Sequence, residues 1–198
     1  MRKGDRDTVF CVRFGFYVTV VLALFIVPLQ WVCAWYTAIL FHELLHFCAI
    51  RICGCRIYQI QLSHHGAIME TEELSDLQSL FCALAGPLAG ILLLLTAKWF
   101  PRLAVCGLIQ SLYNLLPIIP LDGGRALRGF LCGVLKLRSG ETIAHRIGGG
   151  LLILLFAGAL YAVVRLQLGF LPLIFVILLY LKNKNIKIAC KASPERVK

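Results

Sequence analysis

Polar positions are sparse along this chain and fall between long apolar runs that approach the roughly 17–25 residues a membrane-spanning helix needs. Six such runs occupy residues 14–29, 31–50, 79–97, 103–121, 148–164 and 167–181. The last two are short, although Pro172 suits the first turn of a sixth helix. Between the second and third runs, residues 56–73 alternate partly and turn at Gly66, which predicts a β-hairpin at the membrane edge. Residues 122–147 read as a basic connection after Asp122-Gly123-Gly124. In the third run, Gly86 and Gly90 lie beside Ala85 and Ala89 and flank Pro87, a small-residue spacing suited to close helix packing. The expected fold is an all-α polytopic membrane protein of about six transmembrane helices with a short β-hairpin, forming a single domain over residues 1–198.

Composition agrees with that pattern: 60% hydrophobic, 15% charged and a mean hydropathy of +0.83 lie well outside the range of soluble domains. No cleavable signal peptide stands out, because the first apolar run lacks a small-residue cleavage site and another run follows it at once. The net charge of +10 raises the question of nucleic acid, and its distribution answers it. With six spans and both termini cytoplasmic, 17 of the 20 Lys and Arg residues lie on the cytoplasmic side, leaving only Lys98, Arg102 and Arg165 outside. That is the positive-inside pattern, so the charge orients the chain in a lipid bilayer and no nucleic-acid partner is expected. The nine cysteines are scattered mostly within apolar runs. Cys53 and Cys55 form an isolated C-x-C without a second Cys or His pair at structural-zinc spacing, so apolar packing is their expected role.

The chemistry concentrates in the second run. His42, Glu43 and His46 stand inside Ala38-Ile39-Leu40-Phe41-His42-Glu43-Leu44-Leu45-His46-Phe47, and ionisable groups at membrane depth point to function. His42 and His46 are i and i+4, so both imidazoles leave one helix face and suit a single metal ion. Glu43 occupies the position from which this motif's carboxylate reaches a water at the metal. Taken alone, the motif leaves open a chance match or polar residues lining a transport path.

A catalytic zinc usually has three protein ligands, so a third is needed at the same depth. His42 and His46 lie about 13 Å and about 7 Å before Arg51 along a helix, in the cytoplasmic half of the bilayer. Asp122 lies three residues before Arg125 at the cytoplasmic end of the fourth run, a compatible depth. Pro117 and Pro120 break the helix before it, and Gly123 and Gly124 free the backbone further. Irregular backbone at this depth is tolerated only where protein or a wet cavity covers it.

His42-Glu43-Leu44-Leu45-His46 followed by Asn114-Leu115-Leu116-Pro117-Ile118-Ile119-Pro120-Leu121-Asp122-Gly123-Gly124-Arg125 resembles the site-2 protease family of intramembrane zinc metalloproteases. The branch it looks closest to is that of stage IV sporulation protein FB, which processes a sporulation sigma-factor precursor. Ala85-Gly86-Pro87-Leu88 matches the family too, and the hairpin sits where the family has its membrane-edge loop. The resemblance is strong over about residues 30–130 and rests on hydropathy in the terminal spans. It implies one Zn2+ per chain on His42, His46 and Asp122, with Glu43 as catalytic base and Asn114 holding substrate or the oxyanion. The implied activity is regulated intramembrane proteolysis of membrane-embedded or membrane-attached proteins in a bacterial cell membrane. A transmembrane substrate must unwind locally, and the hairpin could hold the unwound segment as an added strand.

Some positions depart from the family pattern. Leu45 replaces a frequent Gly, and His65-Gly66 stands where relatives often have Gly-Gly. His64 and His65 are expected to be polar turn residues, and His145, among basic residues, a solvated or headgroup-facing side chain. The residues after Leu181 are too few to bury a core, so no nucleotide-sensing domain is expected there, and a membrane inhibitor is the implied regulator. The competing functions are a membrane metal-binding transporter, which would spread polar residues over several spans, and a non-catalytic relative, which would leave catalytic positions unfilled.

Overall fold

The computed structural model describes residues 9–63, 66–167, 169–170 and 172–181. These divide into two compact units, residues up to Asn114 and residues from Leu115.

The first unit begins with a strand the hydropathy pattern did not announce, β1 (Val9–Val12), followed by α1 (Phe14–Ile26) and α2 (Leu29–Ile52). Pro28 separates the two helices, since it lacks an N–H and takes the N-cap of α2. At its other end α2 closes in a Schellman motif. Gly54 adopts φ +75°, and the Cys55 and Gly54 N–H groups donate to the carbonyls of Ile50 and Arg51 at 3.2 and 3.0 Å. The expected hairpin is present as β2 (Ile57–Ser63) and β3 (Gly66–Thr71), antiparallel with Ser63 opposite Gly66. Gly66 therefore starts the second strand, and His64 and His65, expected as polar turn residues, lie outside the described residues. β1 adds to β2 in parallel, completing a three-stranded sheet in the order β1-β2-β3.

Next, α3 (Asp76–Leu94) starts earlier than hydropathy indicated, because Ser75 and Gln78 form a capping box. The Ser75 hydroxyl accepts the Gln78 N–H at 3.3 Å, and the Gln78 carboxamide accepts the Ser75 N–H at 3.0 Å. α4 (Pro101–Asn114) is shorter than the expected fourth span, ending ahead of Pro117 and Pro120. The helices α2, α3 and α4 pack mutually. Gly90 permits the α3–α4 contact: a Cβ there would strike the Gly107 carbonyl oxygen and the Ser111 hydroxyl. The same hydroxyl accepts the Gly90 N–H at 3.2 Å. Ala38 and Ala49 of α2, Cys82, Ala83 and Ala89 of α3 and Cys106 of α4 are buried, so small side chains fill much of the core.

In the second unit, residues 115–121 run without helix into α5 (Asp122–Gly129), a short π-helical turn (Phe130–Val134) and α6 (Gly140–Val164). Residues 122–147, expected as a basic connection, thus contain α5, the π-helical turn and the start of α6. α6 also begins eight residues before the expected fifth span, taking in Glu141, His145 and Arg146. A further helix, α7 (Pro172–Leu181), starts at the anticipated proline. The earlier part of the expected sixth span is not helical where described, and the Lys-rich tail lies outside the described residues.

By length and composition α2, α3 and α6 can each cross a membrane, whereas α1 and α7 are shorter apolar helices. Among the described residues, three of the six expected spans are thus helices of full spanning length, and prolines bound the shorter ones.

Candidate metal centre

The sequence predicts that His42 and His46 share a face of α2, and they do so in the buried core, at 4% and 9% exposure. Their Nε2 atoms lie 3.2 Å apart, with the rings edge to face. The orientation of His46 has a definite source on α3. Its Nδ1 lies 2.8 Å from the Cys82 carbonyl oxygen, and since a carbonyl only accepts, Nδ1–H donates. The neutral ring then presents its Nε2 lone pair toward His42. Metal-ligating histidines are commonly fixed in this way through their other nitrogen.

Gly86, one turn beyond Cys82 on α3, supplies the space. A Cβ there would overlap His46 Nε2 and stand 2.5 Å from His46 Cε1 and 2.7 Å from His42 Cε1. The glycine allows α3 to approach the edges of both imidazoles. The spacing tests whether zinc suits the pair. Two nitrogens about 2.0–2.1 Å from one tetrahedral zinc lie about 3.3 Å apart. The observed 3.2 Å matches within a few tenths, so the pair fits the ion.

Glu43, the residue after His42, is half-buried on α2. Asn114 is the last residue of α4 and also half-buried. In the second unit Asp122 is buried, 8% exposed, and opens α5. Residues 115–121 fold tightly before it: the Ile118 N–H donates to the Leu116 carbonyl and the Leu121 N–H to the Ile118 carbonyl, both at 2.7 Å. Gly123 and Gly124 let α5 lie against this segment, since added Cβ atoms would run into the Leu115 and Ile118 backbone. Arg125, one turn on, is 4.0 Å from the Asp122 carboxylate and half exposed, so this pair contributes little. The two histidines belong to the first unit and Asp122 to the second, and each of the three is buried and offers one ligand atom.

Two contributors escaped the sequence reading. The Cys82 carbonyl is a backbone group and leaves no trace in residue type. Gly86 was legible as a packing residue, but spacing alone does not reveal that imidazoles lie opposite it.

An apolar helical fold carrying a buried i, i+4 histidine pair with an adjacent carboxylate is an arrangement suited to binding a metal ion. Comparison with known proteins narrows the class. No family model matches the chain. A zinc metalloprotease of Methanocaldococcus jannaschii is 30% identical over 140 residues, covering 63% of this chain and 41% of the relative. Rip3 of Mycobacterium tuberculosis, provisionally named a zinc metalloprotease, is 36% identical over 96 residues, 47% of this chain and 22% of Rip3. The chain thus matches less than half the length of these curated relatives. The solved site-2 protease from Methanocaldococcus jannaschii aligns over 91% of this chain and 92% of that one, with a TM-score of 0.64 and 23% identity. The chain therefore has the fold of a site-2 protease and is similar in sequence to zinc metalloproteases.

Proposed function

We propose that the chain is a zinc-dependent endopeptidase of the site-2 type that cleaves membrane-embedded or membrane-attached proteins. The observation that carries this reading is the His42–His46 pair, buried at zinc-compatible spacing with Glu43 beside it on α2. The site-2 protease fold and the similarity to zinc metalloproteases support it.

In this reading His42 Nε2, His46 Nε2 and the Asp122 carboxylate hold one Zn2+, which when bound supplies a Lewis acid for the scissile carbonyl. Glu43 takes the proton of the attacking water and delivers it to the departing amine. Asn114 hydrogen-bonds the substrate backbone or the developing oxyanion. The Cys82 carbonyl holds His46 in the tautomer that leaves Nε2 free to ligate. Burial of the ligands excludes competing water, and the edge of the small sheet receives the unwound substrate segment as a further strand.

The finer assignment rests on the sequence motifs. We place the protein in a bacterial cell membrane with both termini cytoplasmic, in the stage IV sporulation protein FB branch, acting on a sigma-factor precursor under the control of a membrane inhibitor. Co-expression of the chain, or its Glu43→Gln variant, with candidate single-span or membrane-attached substrates tests the proposal by blotting. Shortened product with the wild type alone is expected. Equal processing by both forms would refute proteolysis through Glu43.

A further inference from the structure

The end of α2 and the first half of α3 bring together two thiols that the proposed reaction does not use. Cys53, the C-cap of α2, and Cys82, on α3, have their Sγ atoms 3.9 Å apart. Cys82 is 2% exposed and packs with Ala49, Ile50 and Ile57, whereas Cys53 is half-buried at the rim of that cluster. Neither belongs to the group of described residues able to hold a metal ion. The backbone at Cys53 has room to adjust, since Gly54 follows in the left-handed conformation with nothing near its Cβ position. Cys53 is also tied to α3, because the Gln78 side-chain amide donates to its carbonyl at 3.3 Å.

We propose that Cys53 and Cys82 are a modification site, a peroxide-oxidisable dithiol whose closure disturbs the hydrogen bond that positions His46. The half-buried Cys53 is the thiol within reach of peroxide. Its sulfur attacks one peroxide oxygen, an S–O bond forms, the O–O bond breaks, and one water leaves after proton transfer. The Cys82 sulfur then attacks the Cys53 sulfenic acid, forming the S–S bond and expelling a second water. Two thiols and one hydrogen peroxide become one disulfide and two waters.

To bond, the sulfurs must approach by about 1.9 Å, from 3.9 Å to the covalent length of about 2.0 Å. The movement is taken up at Cys82, whose carbonyl accepts the His46 Nδ1–H at 2.8 Å, and at the turn through Cys53. A shift of that carbonyl weakens the bond that sets the tautomer and ring orientation of His46. Loss of such an outer partner typically lowers metal affinity 10–100-fold. This coupling rests on the zinc reading of His46, whereas the dithiol itself does not.

The experiment uses the full chain, purified with zinc in detergent, treated with hydrogen peroxide, alkylated and mapped by peptide mass spectrometry. The expected product is a dithiothreitol-reversible crosslink between the Cys53 and Cys82 peptides. In a chelator titration the oxidised protein should release zinc at chelator concentrations about tenfold lower than the reduced protein. Cys53→Ser and Cys53→Ala should bind zinc and cleave as the wild type does, while losing the peroxide effect. A crosslink of Cys53 to Cys55, no crosslink at all, or a Cys53–Cys82 disulfide with unchanged zinc release would each overturn the proposal. If the reduced chain binds no zinc, the protease reading and the coupling fail together, while the crosslink still decides the dithiol.

Discussion

Gly86→Ala places a single methyl group where α3 meets both histidines. Its Cβ would lie 2.5 Å from His46 Cε1 and 2.7 Å from His42 Cε1, against an ordinary carbon–carbon contact of about 3.5–4.0 Å. Each contact is about 1 Å too short, and two escapes are restricted. α3 cannot retreat freely, because it also packs against α4 at Gly90, where the Gly107 carbonyl lies close. His46 cannot rotate away without giving up its 2.8 Å bond to the Cys82 carbonyl. Overpacking of this kind costs about 1–3 kcal/mol. If the imidazoles absorb it, zinc affinity falls by about 5- to 150-fold, since about 1.4 kcal/mol is one factor of ten. The assay is zinc retention against a graded series of chelator, with circular dichroism to verify folding. Gly150→Ala is the control, because nothing lies within 4 Å of its Cβ position, and it should bind as the wild type does. Zinc affinity within twofold of wild type in a folded Gly86→Ala protein would refute the placement of the histidines against α3.

Three further outcomes are expected. Glu43→Gln should lower cleavage by about 10²–10⁴-fold while the protein retains its zinc, and loss of the metal from that variant would contradict a base that is not a ligand. Asp122→Ala should reduce both zinc content and activity, so a fully active variant would remove Asp122 from the proposed ligand set. A cysteine introduced at Lys191 in an otherwise cysteine-free background should react with an impermeant maleimide only from the cytoplasmic face; reaction from outside would reverse the proposed orientation.

The histidine pair was legible because spacing on a helix fixes direction: i and i+4 share a face whatever surrounds them. The hairpin was legible from alternation, and the start of α7 from Pro172. Other features obey tertiary demands that local pattern does not express. Val9-Phe10-Cys11-Val12 is short and does not alternate, so nothing marked β1 as a strand until β2 supplied a partner. Asp122-Gly123-Gly124 reads as a helix break because each glycine costs about 1 kcal/mol relative to alanine within a helix. Helix forms there nonetheless, since only glycine admits the Leu115 and Ile118 backbone so close to α5. The end of the expected fourth span was misplaced because hydropathy continues through Pro117 and Pro120, whereas α4 ends at Asn114.

The same small-residue stripe on α3 performs two tasks at different depths, and this explains why a buried polar pair is tolerated in so apolar a core. At Gly90 the missing side chain lets α3 meet α4 backbone to backbone, and at Gly86 it leaves room for imidazoles from α2. Without a metal, the His42 Nε2–H can donate to the His46 Nε2 lone pair at 3.2 Å. A divalent cation would replace that single proton by accepting both lone pairs. Its charge in turn calls for carboxylates, because an uncompensated ion in an apolar interior is costly. Under the proposed ligand set Asp122 supplies one such negative charge directly to the Zn2+, while Glu43 remains the base and not a ligand. Burial of the histidines, the glycine opposite them and the carbonyl that orients His46 are then parts of one arrangement, in which the apolar surroundings make the metal and its carboxylates depend on each other.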